Sequence, residues 1–395
     1  MHDYNKDFPI VSSPENPRNP LAAVLRDHAE KCIACKICLK ECAFLRKYGT
    51  PKEIAIHALS ATEPPLDFSF ECSLCGLCQA VCPPKVGLAP ATMFLEMRRE
   101  AVKRDQGNFR QHNIITNYER RGTSRSFTYY GLPAGCDTVL FPGCALPGTR
   151  PEKVKALFHH LRGSIESLGI VLDCCTKPSH DLGRDHFFQT MFTEMRDYLL
   201  ANGVKKVLTA CPNCYRVFQQ YGEKLRVETV YEFMAENGAP ATPLVDGVIT
   251  VHDPCGTRFD QQVQQSIRTL AGGKSLRIHE MKHTGSRTVC CGEGGSVSCL
   301  LPELAGKWSA KRKNEAGGTR ILTYCAGCAN FLNRLTPTSH ILDLLFAPEK
   351  TMTGKVRVAK APFTYLNRLL LKRWFRKKIP ALISRERTSK KETGP

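Results

Sequence analysis

The chain has 395 residues, a formal net charge of +19 and 20 cysteines. That length fits two or three domains, and so many cysteines in a long chain point to metals or redox thiols, not to the disulfide framework of a small secreted domain. No run approaches the ~18 apolar residues of a spanning helix, and the polar, proline-rich start lacks a basic-then-apolar leader pattern, so a cytoplasmic protein is expected.

Residues 1–20 read as a flexible arm, and a helical pattern begins at Leu21 to Arg26. Two cysteine runs follow: Cys32, Cys35, Cys38 and Cys42, then Cys72, Cys75, Cys78 and Cys82 with Pro83 after it. Each run has the spacing that wraps three thiolates around a 4Fe–4S cubane and lends the fourth to the neighbouring cluster. One cluster is therefore assigned to Cys32, Cys35, Cys38 and Cys82, and the other to Cys72, Cys75, Cys78 and Cys42. Zinc prefers two separated Cys-x-x-Cys pairs per site. Ala43 stands where bacterial ferredoxins have a proline after the fourth cysteine. Pro51–Ser60 and Pro90–Lys103 read as helices with proline in the first turn, which points to a helical two-cluster domain over 21–97.

Residues 98–135 form a connector containing Arg98, Arg99, Lys103, Arg104, Arg110, Arg120, Arg121 and Arg125. It reads as a solvated face or as a docking surface for an acidic electron-transfer partner. From residue 136, strand-length apolar runs alternate with helix-length segments. Thr138 to Cys144, Gly169 to Cys175 and Val204 to Cys214 are strands delivering cysteines at their ends. Helices are expected over Glu152 to Leu168 and His186 to Ala201. The same order then repeats: Gly247 to Cys255 is a strand, Gln261 to Ala271 a helix, Cys290-Cys291-Gly292 an adjacent pair, and Arg320 to Cys328 a closing strand. Val207-Leu-Thr-Ala-Cys-Pro-Asn-Cys214 lies over Ile321-Leu-Thr-Tyr-Cys-Ala-Gly-Cys328, so 136–240 and 241–347 are a tandem duplication. The expected class is a mixed α+β and α/β multidomain chain, and open α/β sheets bind ligands at the carboxyl edge.

Each repeat supplies five thiols: Cys144, Cys174, Cys175, Cys211 and Cys214, then Cys255, Cys290, Cys291, Cys325 and Cys328. Five exceed the need of one zinc or one cubane, so each set reads as a multi-metal or redox-active thiol site. This pattern resembles the cysteine-rich CCG repeat of the heterodisulfide reductase family, which includes iron–sulfur subunits of glycolate oxidase and anaerobic glycerol-3-phosphate dehydrogenase. The resemblance covers roughly residues 25–345. It implies a noncubane 4Fe–4S cluster on each five-cysteine set, one or two such clusters beyond the two cubanes. Thr176 departs from the pattern where glycine is usual, which bears on the first set.

His252 either carries a proton to a released thiolate or is a satisfied strand-end histidine. His340 is expected to cap or pack a helix, and Cys136 and Cys299 to be plain buried thiols. Gly272-Gly-Lys-Ser275 lacks the earlier glycine of a phosphate loop, since Arg268 holds that place. With no Gly-x-Gly-x-x-Gly, flavin or nicotinamide is expected on a partner.

Residues 348–395 form a basic tail. Phe363, Leu366, Leu370 and Trp374 fall on one helical face, and Arg368, Lys372, Arg376 and Lys377 on others. Such a helix suits an anionic membrane surface, giving a peripheral position on the inner face of the cytoplasmic membrane. A disordered tail or a helix docked on a partner is the other reading, and no nucleic acid is expected. The functional expectation is an iron–sulfur oxidoreductase subunit. It would pass electrons between two cubanes and a disulfide or thiol site on the repeats, working with a flavin, quinone or haem partner. The alternative is an electron-transfer subunit linking a glycolate, lactate or glycerol-3-phosphate type flavin dehydrogenase to membrane quinone.

Overall fold

A computed structural model describes residues 20–388. The arm expected before Pro20 lies outside the described residues. Residues 20–128 contain helices and no strand. The three expected helices run Pro20–Lys31, Pro51–Ser60 and Pro90–Lys103. Thr50 and Glu53 close the second by a reciprocal cap: Thr50 Oγ1 accepts from Glu53 N at 3.3 Å, and Glu53 Oε2 accepts from Thr50 N at 2.7 Å. Phe44, Phe70, Met93, Phe94 and Met97 form the core between them, with Phe44 edge-on to Phe94 at 4.9 Å.

The rest of the chain builds two sheets. The strands are β1 Tyr129–Leu132, β2 Thr138–Phe141, β3 Gly169–Leu172, β4 Lys206–Thr209, β5 Arg226–Thr229, β6 Val248–His252, β7 Arg277–Ile278, β8 Arg320–Thr323, β9 Thr338–His340 and β10 Ile383–Arg385. The first sheet is ordered β10-β1-β3-β2-β4-β5 and the second β7-β6-β8-β9. The parallel part of the first, β3-β2-β4-β5, has the same order as the whole of the second. The duplication seen in the sequence is thus a duplication of topology. The central strands of both sheets are buried apolar runs, as parallel strands covered on both faces must be.

One apolar core joins the repeats. It takes Leu140, Leu157, Phe158 and Leu208 from the first, Val251, Ile267, Leu322 and Leu342 from the second, and Leu371 and Phe375 from the C-terminal helix. A buried ion pair, Arg150 Nε to Asp343 Oδ2 at 2.8 Å, crosses the same boundary.

Two expectations need correction. The basic connector is not a uniformly solvated face: Arg98 is 0% exposed, and β1 within it pairs antiparallel with β3 and β10. Nor is the basic tail disordered or free of its own chain across its described part. Its helix, Phe363–Lys378, packs Phe375 edge-on to Phe158 at 5.0 Å, and Lys372 Nζ donates to Arg125 O at 2.7 Å. Beyond it β10 edges the first sheet, and Arg387 Nε pairs with buried Asp173 at 2.7 Å. Lysine and arginine stems carry enough hydrocarbon to bury when the head finds an acceptor, which the basic composition concealed.

Candidate iron–sulfur and thiol sites

The eight cysteines of the helical region fall into two pockets. One is lined by Cys42, Cys72, Cys75 and Cys78. The other is lined by Cys32, Cys35, Cys38 and Cys82, with Cys78 at its edge. Tight turns aim the sulfurs: Ala34, Lys36, Leu74 and Gly76 all have positive φ, and Leu74 N donates to Cys72 Sγ at 3.4 Å. Burial, together with the neighbouring Cys32 and Cys35, pushes the Cys38 thiol up to about 12. Burial first, and Cys75 second, pushes Cys42 up to about 11. Four thiols gathered in one pocket fit a cation that compensates four thiolates at once.

The carboxyl edges of the two parallel sheets present the other ten. Cys144 follows β2, Cys174 and Cys175 follow β3, Cys211 follows β4, and Cys214 lies in the first turn of the helix Pro212–Tyr221. Cys255, Cys325 and Cys328 take the matching places after β6 and β8, while Cys290 and Cys291 come from the long loop after β7. Cys214 Sγ and Cys175 Sγ lie 3.4 Å apart. Side-chain hydrogen bonds link Cys144 to Cys174, Cys211 to both Cys214 and Cys325, Cys291 to both Cys290 and Cys328, and Cys255 to Cys290.

The two sets therefore meet at Cys211 and Cys325, equivalent residues of the two repeats. Tyr231 fixes that meeting: its hydroxyl faces Ala210 O at 2.7 Å and Tyr324 O at 3.2 Å, the carbonyls just before the two cysteines. Contacts with Cys214 and Cys325 hold Cys211 well below the usual thiol range. Hydrogen bonds from Cys290 and Cys328 bring Cys291 down to about 6. Such a buried sulfur donor set suits soft metal ions.

Both adjacent pairs end in a left-handed residue. Gly292 has φ +105°, and a Cβ there would meet Phe331 Cε1 at 2.6 Å and Ala305 O at 2.7 Å. Thr176 adopts the same region, φ +53°, without being glycine. The first repeat thus keeps the turn at a cost of roughly 1–2 kcal/mol.

Three residues at the site were not singled out as functional from the sequence. The Arg98 guanidinium donates to Ser69 O, Cys72 O, Asp181 O and Gly295 O, so one cation ties the Cys72 loop to both repeats. Arg258, three residues after Cys255, donates to Cys75 O at 2.8 Å and to Ser286 O. Glu293 follows Cys290-Cys291-Gly292, leaves no room for a Cβ on Gly327, and is pushed up to about 7 by burial and by the charges of Cys211 and Cys144. Only its place beside the cysteine pair signalled it. The Cys42, Cys72, Cys75 and Cys78 pocket is also lined by Val289, Cys290 and Trp308, which sets it against the second repeat.

The profile of the 4Fe-4S dicluster domain matches residues 28–86. The profile of the cysteine-rich domain, CCG, matches twice, at 138–219 and 249–333. With one dicluster domain and two CCG domains, the chain is similar to heterodisulfide-reductase-like iron–sulfur proteins. It is 26% identical to a subunit of the fumarate reductase (CoM/CoB) of Methanothermobacter marburgensis, over 83% of this chain and 70% of that one. It is 25% identical to a subunit of the dihydromethanophenazine:CoB–CoM heterodisulfide reductase of Methanosarcina mazei, over 64% and 69%. An EtfAB:quinone oxidoreductase of Syntrophomonas wolfei is 27% identical over 59% of this chain but only 37% of its own length. The dicluster and cysteine-rich domains point to iron–sulfur clusters.

The remaining expectations are soon placed. His340 caps the helix Ile341–Phe346, its Nδ1 accepting from Leu342 N at 3.2 Å. Cys136 is buried and Cys299 half-buried, outside all four sets. His252 is buried, but neither ring nitrogen has a hydrogen-bond partner, so it is not the satisfied strand-end histidine of one reading. Burial, with Arg312 beside it, holds the imidazole down to about 3. Among the described residues no helix is long and apolar enough to cross a membrane.

Proposed function

We propose that the chain is the redox subunit of a complex in which a sulfur–sulfur bond is cleaved or formed at the paired cysteine-rich repeats. Cys32, Cys35, Cys38 and Cys82 would hold one cubane, and Cys72, Cys75, Cys78 and Cys42 the second. The sets Cys144, Cys174, Cys175, Cys211, Cys214 and Cys255, Cys290, Cys291, Cys325, Cys328 would hold noncubane clusters. Bound clusters supply one-electron storage. The overall change is a disulfide plus two electrons and two protons giving two thiols, or its reverse.

The observation that carries this reading is the continuity of the sulfurs. The Cys75 pocket borders Cys290, and from Cys290 the thiol string passes through Cys291, Cys328 and Cys325 to Cys211 and the first repeat. The chain's own groups keep that path dry and aligned: Arg98 and Arg258 pin the Cys72–Cys75 loop, and Tyr231 pins the two central cysteines. The Glu293 carboxyl, raised to about 7, can hold a proton beside the sulfurs of both repeats.

The test is to purify the chain without oxygen and record electron paramagnetic resonance spectra with and without a small thiol. A signal that the thiol perturbs supports the proposal; spectra indifferent to thiol, with no disulfide turnover by the reduced protein, would remove it. A second reading is an electron-transfer subunit between a flavin partner and membrane quinone. It is favoured by the similarity to the EtfAB:quinone oxidoreductase and by the outer face of helix Phe363–Lys378. There Phe363, Leu366 and Leu370 are 63%, 49% and 55% exposed beside exposed Arg373, Arg376, Lys377 and Lys378, a face suited to an anionic bilayer surface.

A further inference from the structure

We infer that His252 is an additional ligand of the second repeat's metal centre, giving that site a nitrogen donor its twin lacks. The inference rests on the reading that Cys255, Cys290, Cys291, Cys325 and Cys328 hold metal. His252 ends β6, three residues before Cys255, and its side chain is 1% exposed. Both ring nitrogens are buried and unpartnered. A buried polar group without a partner costs about 1–3 kcal/mol, and native structures rarely keep one without a use.

The geometry names the use. One ring nitrogen of His252, Cys291 Sγ and Cys328 Sγ all lie within 4.8 Å of one another. First-row metal bonds of about 2.1 Å to nitrogen and 2.3 Å to sulfur place ligands of one ion no more than about 4.6 Å apart. The three donors thus span about the distance that ligands of one ion cover.

The surroundings leave the imidazole without a competing partner. The buried Arg312 guanidinium lies on the same side, held by His283 O at 2.7 Å and Glu315 at 2.8 Å. Arg312 makes no hydrogen bond to the ring, and neither ring nitrogen is taken by another group, so a lone pair stays free to bind metal. The neighbouring carboxylate does not compete: Asp253 is taken up by Arg268 at 3.0 Å, Gly285 N at 2.8 Å and Thr284 Oγ1 at 3.1 Å.

The first repeat has no equivalent. Phe141 stands three residues before Cys144, as His252 does before Cys255, and it is fully buried, edge-on to Phe218 at 5.1 Å. The two sets therefore differ in kind: five thiols against five thiols and an imidazole. An extra imidazole donor on one centre only gives the two centres different potentials.

The experiment uses the full chain, purified without oxygen, with natural and 15N-labelled histidine. Nitrogen couplings to the paramagnetic centres are read by pulsed resonance, alongside iron and sulfide content. A coupling of directly bonded strength that follows the isotope, and disappears in His252→Ala while iron content holds, is the expected result. His252→Ala should also shift the potential of one centre only. Iron present in the repeats with no histidine nitrogen, with coupling at hydrogen-bond strength only, or with a coupling that survives His252→Ala overturns the inference alone. Absence of iron from the repeats overturns it together with the proposed function. The labelled native chain gives the answer even if the variant fails to fold.

Discussion

Replacing Arg98 with methionine removes five hydrogen bonds to four carbonyl oxygens, those of Ser69, Cys72, Asp181 and Gly295. The guanidinium is fully buried, and burial lowers it only to about 10, so it is a cation at neutral pH. Hydrogen bonds from a charged donor contribute about 1.5–3 kcal/mol each. Part of that is returned because the buried ion's own desolvation cost disappears and water can re-enter. The expected net loss is about 3–5 kcal/mol, with Arg98→Lys intermediate because an ammonium reaches at most three acceptors without the fork. Urea unfolding under anaerobic conditions, followed by circular dichroism and by iron release, measures it. A loss below about 1 kcal/mol in Arg98→Met would refute the idea that this cation joins the Cys72 loop to both repeats.

Three further outcomes follow from the same geometry. Glu119, buried against Ser179 N at 3.0 Å, is raised by burial from 4.5 to about 7. The folded chain therefore keeps a proton that the unfolded chain releases, and stability falls by about 3 kcal/mol as pH rises from ~4.5 to ~7; Glu119→Gln should flatten that slope, and equal slopes by thermal unfolding would count against it. Gly292→Ala drives a Cβ into Phe331 and Ala305 O at φ +105°, so about 2–4 kcal/mol of destabilisation and loss of second-repeat iron are expected. Leu366→Ser with Leu370→Ser leaves net charge unchanged and alters exposed side chains only, so stability should shift by under about 0.5 kcal/mol for each. Binding to vesicles rich in phosphatidylglycerol should fall, and unaltered binding would assign the attraction to charge alone.

The sequence carried the local structure and the chemistry of the ligands further than it carried their assembly. Proline at the first turn announced Pro51–Ser60, and the matched strings around Cys211 and Cys325 announced the repeat. These signals are short in sequence and were legible for that reason. The meeting of Cys211 with Cys325 was not, because it depends on how two sheets share one core and on Tyr231 reaching both strand ends. Arg98 and Arg258 were equally hidden, since each finds its acceptors far along the chain and looks like any surface arginine until those carbonyls are placed. Thr176 seemed to weaken the first repeat, yet the backbone takes the left-handed turn there regardless. The tail misled in the opposite sense: its amphipathic face was legible, but the strand β10 and the Arg387–Asp173 pair that fasten it beside Cys174 were not.

The central claim is that all four cysteine sets hold clusters. Counting iron and acid-labile sulfide on the full chain, purified and kept without oxygen, tests it most directly. Four clusters require about sixteen irons per chain, falling by about four in a variant that removes Cys290 and Cys291 together. About eight irons, unchanged by that variant, would confine metal to residues 32–82 and contradict the account.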